Sequence, residues 1–203
     1  MPFIPQVMTG LMMAKAASKM MGGSKLLPEI SSLSSAICSY LSIAPVVVST
    51  NIVTGPGAGT YTGKVVGVVP SVMSSLMMLK ATSKGIMGRD TKRLFDTVSF
   101  GVCQTMLTAV FAQGVVIGGG PGVGHGKITN LVSSVLQGII LLNVSARILG
   151  GSKARDIAGA MAFGICSHIM TSGTILTTCI GAFAPPPVGP IPILAAPGPG
   201  RLI

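Results

Sequence analysis

Apolar positions recur along the chain at helical spacing, then give way to β-branched runs, and the alternation divides the chain into elements. In VPSVMSSLMMLKATSKGIMG, Val69, Val72, Met73, Leu76 and Met77 fall three and four apart, which predicts an amphipathic helix closed by Lys80 and Lys84 with glycine as its stop. Pro70 suits the first helical turn, and Pro5 holds the same place in IPQVMTGLMM. The polar turn that follows offers Asp90 as a cap for a second helix, TKRLFDTVSFGVCQTMLTAVFAQ. Beyond it, PVVVSTNIVTGPGAGTYTGKVVGV and GVVIGGGPGVGHGKITN set β-branched residues on both sides of a Gly-rich segment. These links predict short strands or tight crossovers.

This order is written three times. IPQVMTGLMM, VPSVMSSLMML and VSSVLQGIILL match in type, and so do the stretches Gly23 to Cys38, Gly88 to Cys103 and Gly151 to Cys166. The three cysteines lie 65 and 63 residues apart, a period that marks one supersecondary unit used three times. The expected fold is mainly α: three tandem helical-hairpin repeats, about residues 4–68, 69–131 and 132–184, arranged with pseudo-threefold symmetry in one domain and linked by Gly-rich short β segments. Residues 185–203 form a Pro-rich tail, whose prolines forbid a regular helix or central strand. That tail is expected to be extended and to grip a neighbour through Pro185, Pro186 and Pro187.

Composition restricts what such a body can be. The chain has 203 residues, 49% hydrophobic and only 9% charged, with a mean hydropathy of +0.75. Soluble domains carry about a quarter charged residues, so much of this surface must meet other subunits or lipid. Lys and Arg number 14 against 4 Asp and Glu, a formal net charge of +10. The basic residues gather in the hairpin turns, at Lys15, Lys19 and Lys25, at Lys80, Lys84, Arg89, Lys92 and Arg93, and at Arg147, Lys153 and Arg155; Lys64 and Lys127 stand in the links. Two lysines four apart on one helix face cost a few tenths of a kcal/mol, so an anion, either DNA phosphate without sequence preference or anionic lipid, would suit them. The plainer account is a solvated cap whose lysine stems cover apolar surface.

Candidate chemistry fails one test after another. Cys38, Cys103 and Cys166 sit in apolar runs and no C-x-x-C occurs, so they read as small buried hydrophobes rather than metal ligands. The Gly-rich links lack the G-x-x-x-x-G-K-[ST] order of a phosphate loop, since Val65 follows Lys64 and Ile128 follows Lys127. Glu29, Asp90, Asp96 and Asp156 lie in or near the basic turns, His125 and His168 have no matching nucleophile, and no G-x-S-x-G elbow is present. No catalytic residue, cofactor site or metal site is expected, and no enzyme.

Two partners could cover the apolar surface. Thr97 to Gly126, Ile128 to Ala146 and Ile157 to Gly200 are free of charge, so about six bilayer spans can be drawn with every basic turn on one side. Against this, the first helix of each unit runs only about 15 residues before its lysines, Trp is absent, and Tyr is limited to Tyr40 and Tyr61. The N-terminus MPFIPQVMTG has no charged region of the signal-peptide kind. Burial inside a large assembly accounts for the composition equally well. GAGTYTGKVVGVVPS, its echo GVGHGKITNLVSS, and the ending GAFAPPPVGP with APGPGRL resemble a family of small apolar virion structural proteins of tailed bacteriophages. The resemblance covers nearly the whole chain and implies a structural role in the contractile-tail or baseplate region near the central hub, with other virion proteins as partners. The expected function is an axial plug, cap or adaptor between symmetric rings. The alternative is a polytopic membrane protein, either cellular or a phage component entering the host inner membrane during DNA delivery.

Overall fold

The computed structural model describes residues 3–24, 26–43, 46–53, 58–108, 110–117, 122–146, 153–179, 193–194 and 199–202. The fold is mainly helical. Its elements are α1 (Pro5–Ala17), α2 (Leu26–Ile43), β1 (Val46–Val53), β2 (Ala58–Val66), α3 (Pro70–Thr82), α4 (Arg89–Thr108), β3 (Val110–Ile117), β4 (Gly122–Thr129), α5 (Ser133–Ala146), α6 (Ala154–Ser172), β5 (Thr174–Cys179), β6 (Ile193–Leu194) and β7 (Pro199–Leu202). Two helices followed by two strands occur as α1–α2–β1–β2 and again as α3–α4–β3–β4.

The helices form a ring. Each packs on the next in sequence from α1 to α6, and α6 packs back on α1. Residues related by the 65- and 63-residue offsets are buried together: Met8, Met73 and Leu136; Met12, Met77 and Ile140; Leu33, Val98 and Met161; Leu41, Met106 and Ile169. All of these belong to one continuous core. The longer second helices α2, α4 and α6 carry Ser and Thr into that core by bonding them to their own backbone. Ser34 donates to the Ile30 carbonyl at 2.8 Å, and Thr105 to the Gly101 carbonyl at 2.8 Å, so no hydroxyl there enters the core unpaired.

Local sequence explains where the first helices stop. Pro5 and Pro70 open α1 and α3 from extended residues Ile4 and Val69, and Ser18 and Ser83 close them with near-identical geometry, φ −62° and −61°. Gly85 then turns through positive φ, +70°, and Met20 takes the matching place at +53°. The reversal leaves Lys19 and Lys84 beyond the helix ends, so the lysine pairs do not share one helix face as the spacing suggested. Asp90 likewise sits inside the first turn of α4 rather than ahead of it. Its carboxylate favours the unpaired amides there.

The links are more than short strands. β1 and β2 pair antiparallel over Val46–Val53 and Gly59–Val66, β2 continues onto β3, β3 onto β4, and β4 onto β5. β7 then pairs with both β5 and β1. The hydrogen-bonded circuit β1–β2–β3–β4–β5–β7 is thus closed, with β6 added alongside β7 on β1. A closed sheet has no exposed edge, and six strands are fewer than the eight whose lumen side chains already fill. Within the C-terminal tail, Ile193–Leu194 pair with β1 and Pro199–Leu202 with β1 and β5 of the same chain, and Pro199 occurs at the first residue of β7, where a strand tolerates a missing N–H. Pro185, Pro186 and Pro187 lie outside the described residues.

The sheet sits on the end of the helix ring where first helices begin and second helices end. α4 touches β2, α6 touches β4, and α2 touches β7; in each case a second helix meets the returning strand of the unit before it. Tyr40 on α2 ties the layers together, its hydroxyl oxygen accepting the Val69 N–H at the start of α3. The basic turns occupy the opposite end.

Candidate interaction surface

Most of the basic residues singled out in the sequence come together at that turn end. Lys15 lies in the last turn of α1 with its ammonium 5.1 Å from the centre of the Phe163 ring on α6, a cation–π contact of about 0.5–1 kcal/mol at so open a site. Lys19 approaches Asp156 of α6 at 4.0 Å, and Lys84 donates to the Ser31 hydroxyl of α2. In both cases the turn of one unit touches the second helix of the unit before it. Lys80 closes α3, and Arg89, Lys153 and Arg155 are exposed. Lys92 pairs with Asp96 at 3.0 Å, whose other oxygen accepts the Ser74 hydroxyl of α3, and Arg93 reaches Asp90 at 3.7 Å. The Arg155 carbonyl accepts from Gln137 on α5 at 3.0 Å. Lys25 and Arg147 lie outside the described residues.

These are surface ion pairs, each contributing about 1 kcal/mol or less. Their effect is positional: they hold the turns against the adjacent second helices. Between the turns opens a cavity of about 260 Å³ lined by Leu26 and Glu29 of α2, Asp90 and Leu94 of α4, and Ile157 and Met161 of α6. α2, α4 and α6 all contribute their first turns to it. Its wall is largely apolar, with the two carboxylates and the Thr91 side chain as its polar groups.

No family model matches the chain, and neither a curated protein nor a solved structure matches it. The reading of this surface therefore rests on its own chemistry.

Cys38, Cys103 and Cys166 are free and buried, and burial pushes their thiols up to about 12, 12 and 11. Burial therefore favours the neutral thiol over the nucleophilic thiolate. His168 is fully buried on α6 against the Phe3 ring, with Nδ1 3.3 Å from the Ser172 hydroxyl and Nε2 unpaired. Burial lowers its pKa. Among the described residues, no three His, Cys, Asp or Glu stand close enough to hold a metal ion.

Lys64 and Lys127 belong to the other end of the molecule. Lys64 on β2 stands opposite Val110, the first residue of β3, and Lys127 on β4 opposite Thr174, the first residue of β5. A third cation that the sequence did not reveal completes the set: Arg201 on β7 stands opposite Val46, the first residue of β1. No Asp or Glu occurs anywhere in the strands. The offset of 63 from Lys127 leads to Pro190, because the Pro-rich excursion before β7 displaces the third cation by 11 residues. Only the strand register could expose it.

Proposed function

We propose that this chain is an axial structural piece of a tailed-phage virion, in the tail or baseplate region, where it plugs, caps or adapts a symmetric ring. In this reading three helical-hairpin units wrap a pseudo-threefold axis, so that one polypeptide imitates a trimer. Closure is the observation that carries it. The contacts of α6 on α1 and of β7 on β1 repeat those between successive units, leaving none of the distinct polar end caps that a linear repeat array needs. A body with three near-equivalent faces fits a threefold or sixfold axis as a single copy. The resemblance of GAGTYTGKVVGVVPS and GAFAPPPVGP supplies the placement in a phage particle.

No reaction belongs to this reading, since the buried thiols, the unpaired buried histidine and the dispersed carboxylates serve packing and turn geometry. Six bilayer spans fit the fold less well. α1, α3 and α5 have 13, 13 and 14 residues, about 20 Å of helix, against a hydrocarbon core of about 30 Å. Among the described residues only α2 is long and apolar enough to cross a membrane, and half of it is buried inside the fold.

The test is copy number. Quantitative mass spectrometry of purified particles should find this chain at one copy per axial ring, a third or a sixth of the copies of the ring protein beside it. Equal numbers of the two chains would contradict the proposal.

A further inference from the structure

The outer face of the helix ring carries the same exposed apolar residues in threes. Val7, Val72 and Val135 are 46%, 50% and 50% exposed, and Ile4, Val69 and Val132 match one another as closely. Leu79 and Leu142 continue the stripe along α3 and α5, and Phe100 and Phe163 flank it from α4 and α6. Scattered exposed apolar residues need no explanation, but a band that repeats with the chain's own period at matched exposure is a surface. On the sheet side of these residues lies exposed Lys127, with Lys64 and Arg201 at the corresponding strand register, and on the other side the basic turns.

The width of the band decides what covers it. From Ile4 to the lysine at position 15 the helix advances about 17 Å, little more than half of a bilayer's hydrocarbon core of about 30 Å. Cations on both borders of an apolar band call for carboxylates on both borders of its partner. We propose that this girdle seats inside a coaxial protein ring of threefold or sixfold symmetry, whose inner wall is apolar and whose two rims carry carboxylates. The proposal rests on the axial reading above and adds to it which face is gripped, and by what.

The experiment replaces Val7, Val72 or Val135 in the full chain with photoreactive benzoylphenylalanine and irradiates the assembled particles. All three positions should cross-link to the same segment of one partner chain, because a symmetric ring offers one surface three times. Adducts to three unrelated segments, to lipid, or to nothing would overturn the girdle. A fourth probe at Lys92, on the turn end, separates the two claims: a ring adduct there with none from the three valine positions sinks the girdle and leaves the axial piece standing. Flotation of the full chain with vesicles of phosphatidylcholine and phosphatidylglycerol should leave it at the bottom, and co-flotation would overturn the protein-ring occupant. As a check against misfolding, Val72→Asp with Val135→Asp should keep the helical circular dichroism, both sites being half exposed, while lowering incorporation into particles at least tenfold. Wild-type incorporation of that double variant would also overturn the proposal.

Discussion

Gly164 on α6 marks the point where the ring closes, and it has no room to spare. A Cβ there would lie 2.3 Å from the Met12 Cγ and 2.9 Å from the Met12 backbone nitrogen. At the matching Gly101 of α4 the nearest atoms are side-chain tips, Leu136 Cδ1 at 3.1 Å and Ile140 Cγ1 at 3.2 Å, and at Ala36 of α2 a Cβ is already present. Backbone cannot step aside as a side-chain tip can. Gly164→Ala should therefore lower stability by about 1–3 kcal/mol as an overpacked site does, and Gly101→Ala by clearly less, read as urea midpoints. Equal losses would mean that the α6–α1 seam is no tighter than an internal junction. A second residue at the seam, His168, links stability to pH. Its folded pKa lies below the ordinary 6.5, so the unfolded chain binds more protons and stability is complete above pH 6.5. That contribution is lost as pH falls through 6.5 toward the folded value. His168→Tyr, which installs the residue of its counterpart Tyr40, should flatten the urea midpoint between pH 7.5 and 5.5, and an unchanged slope would assign the pH dependence elsewhere.

At the scale of elements, most helices and the strands of the links were legible, but VFAQ, read as the end of the second helix, opens β3, and the closure of the strands into one sheet was not legible. Helices announce themselves by spacing, but only part of the apolar pattern faces inward: Met73 and Met77 are buried with Leu76 half-buried, whereas Val69 and Val72 are exposed. The turns were legible too, since cations and prolines mark helix ends. Strands rich in Gly, such as GVGHGKIT of β4, carry few side chains with which to write a period of two. Pairing is also decided by partners distant in sequence: β1 is joined by β7 about 150 residues later, and no local pattern encodes that. Pro199 reads as a strand breaker until its place at the head of β7 is known. Because β7 fills the gap between β5 and β1, deleting residues 193–203 should expose two strand edges and turn a monomeric unfolding transition into aggregation. Light scattering during thermal unfolding would detect it. A truncated chain that melts reversibly as a monomer would mean that the sheet does not depend on its closing strand.

The whole molecule is polarised along one axis. One end holds all four acidic residues and most of the basic ones in the hairpin turns, and the other is a closed sheet with three cations at one register and no acid at all. Between them Val7, Val72 and Val135 are about half exposed. Composition predicted that the apolar surface is covered, since 9% charge is too little for an ordinary exterior. It could not say where, because exposure depends on which helix face the ring turns outward. The claim that joins these scales is that a single chain stands in for a trimer on a symmetry axis. The most direct measurement is an image reconstruction of the particle in which no symmetry is imposed on the axial density. The account predicts one chain per ring, its three hairpins about 120° apart and its sheet coaxial with the tail. Three or six separate copies around the axis, or a chain lying off it, would contradict the account.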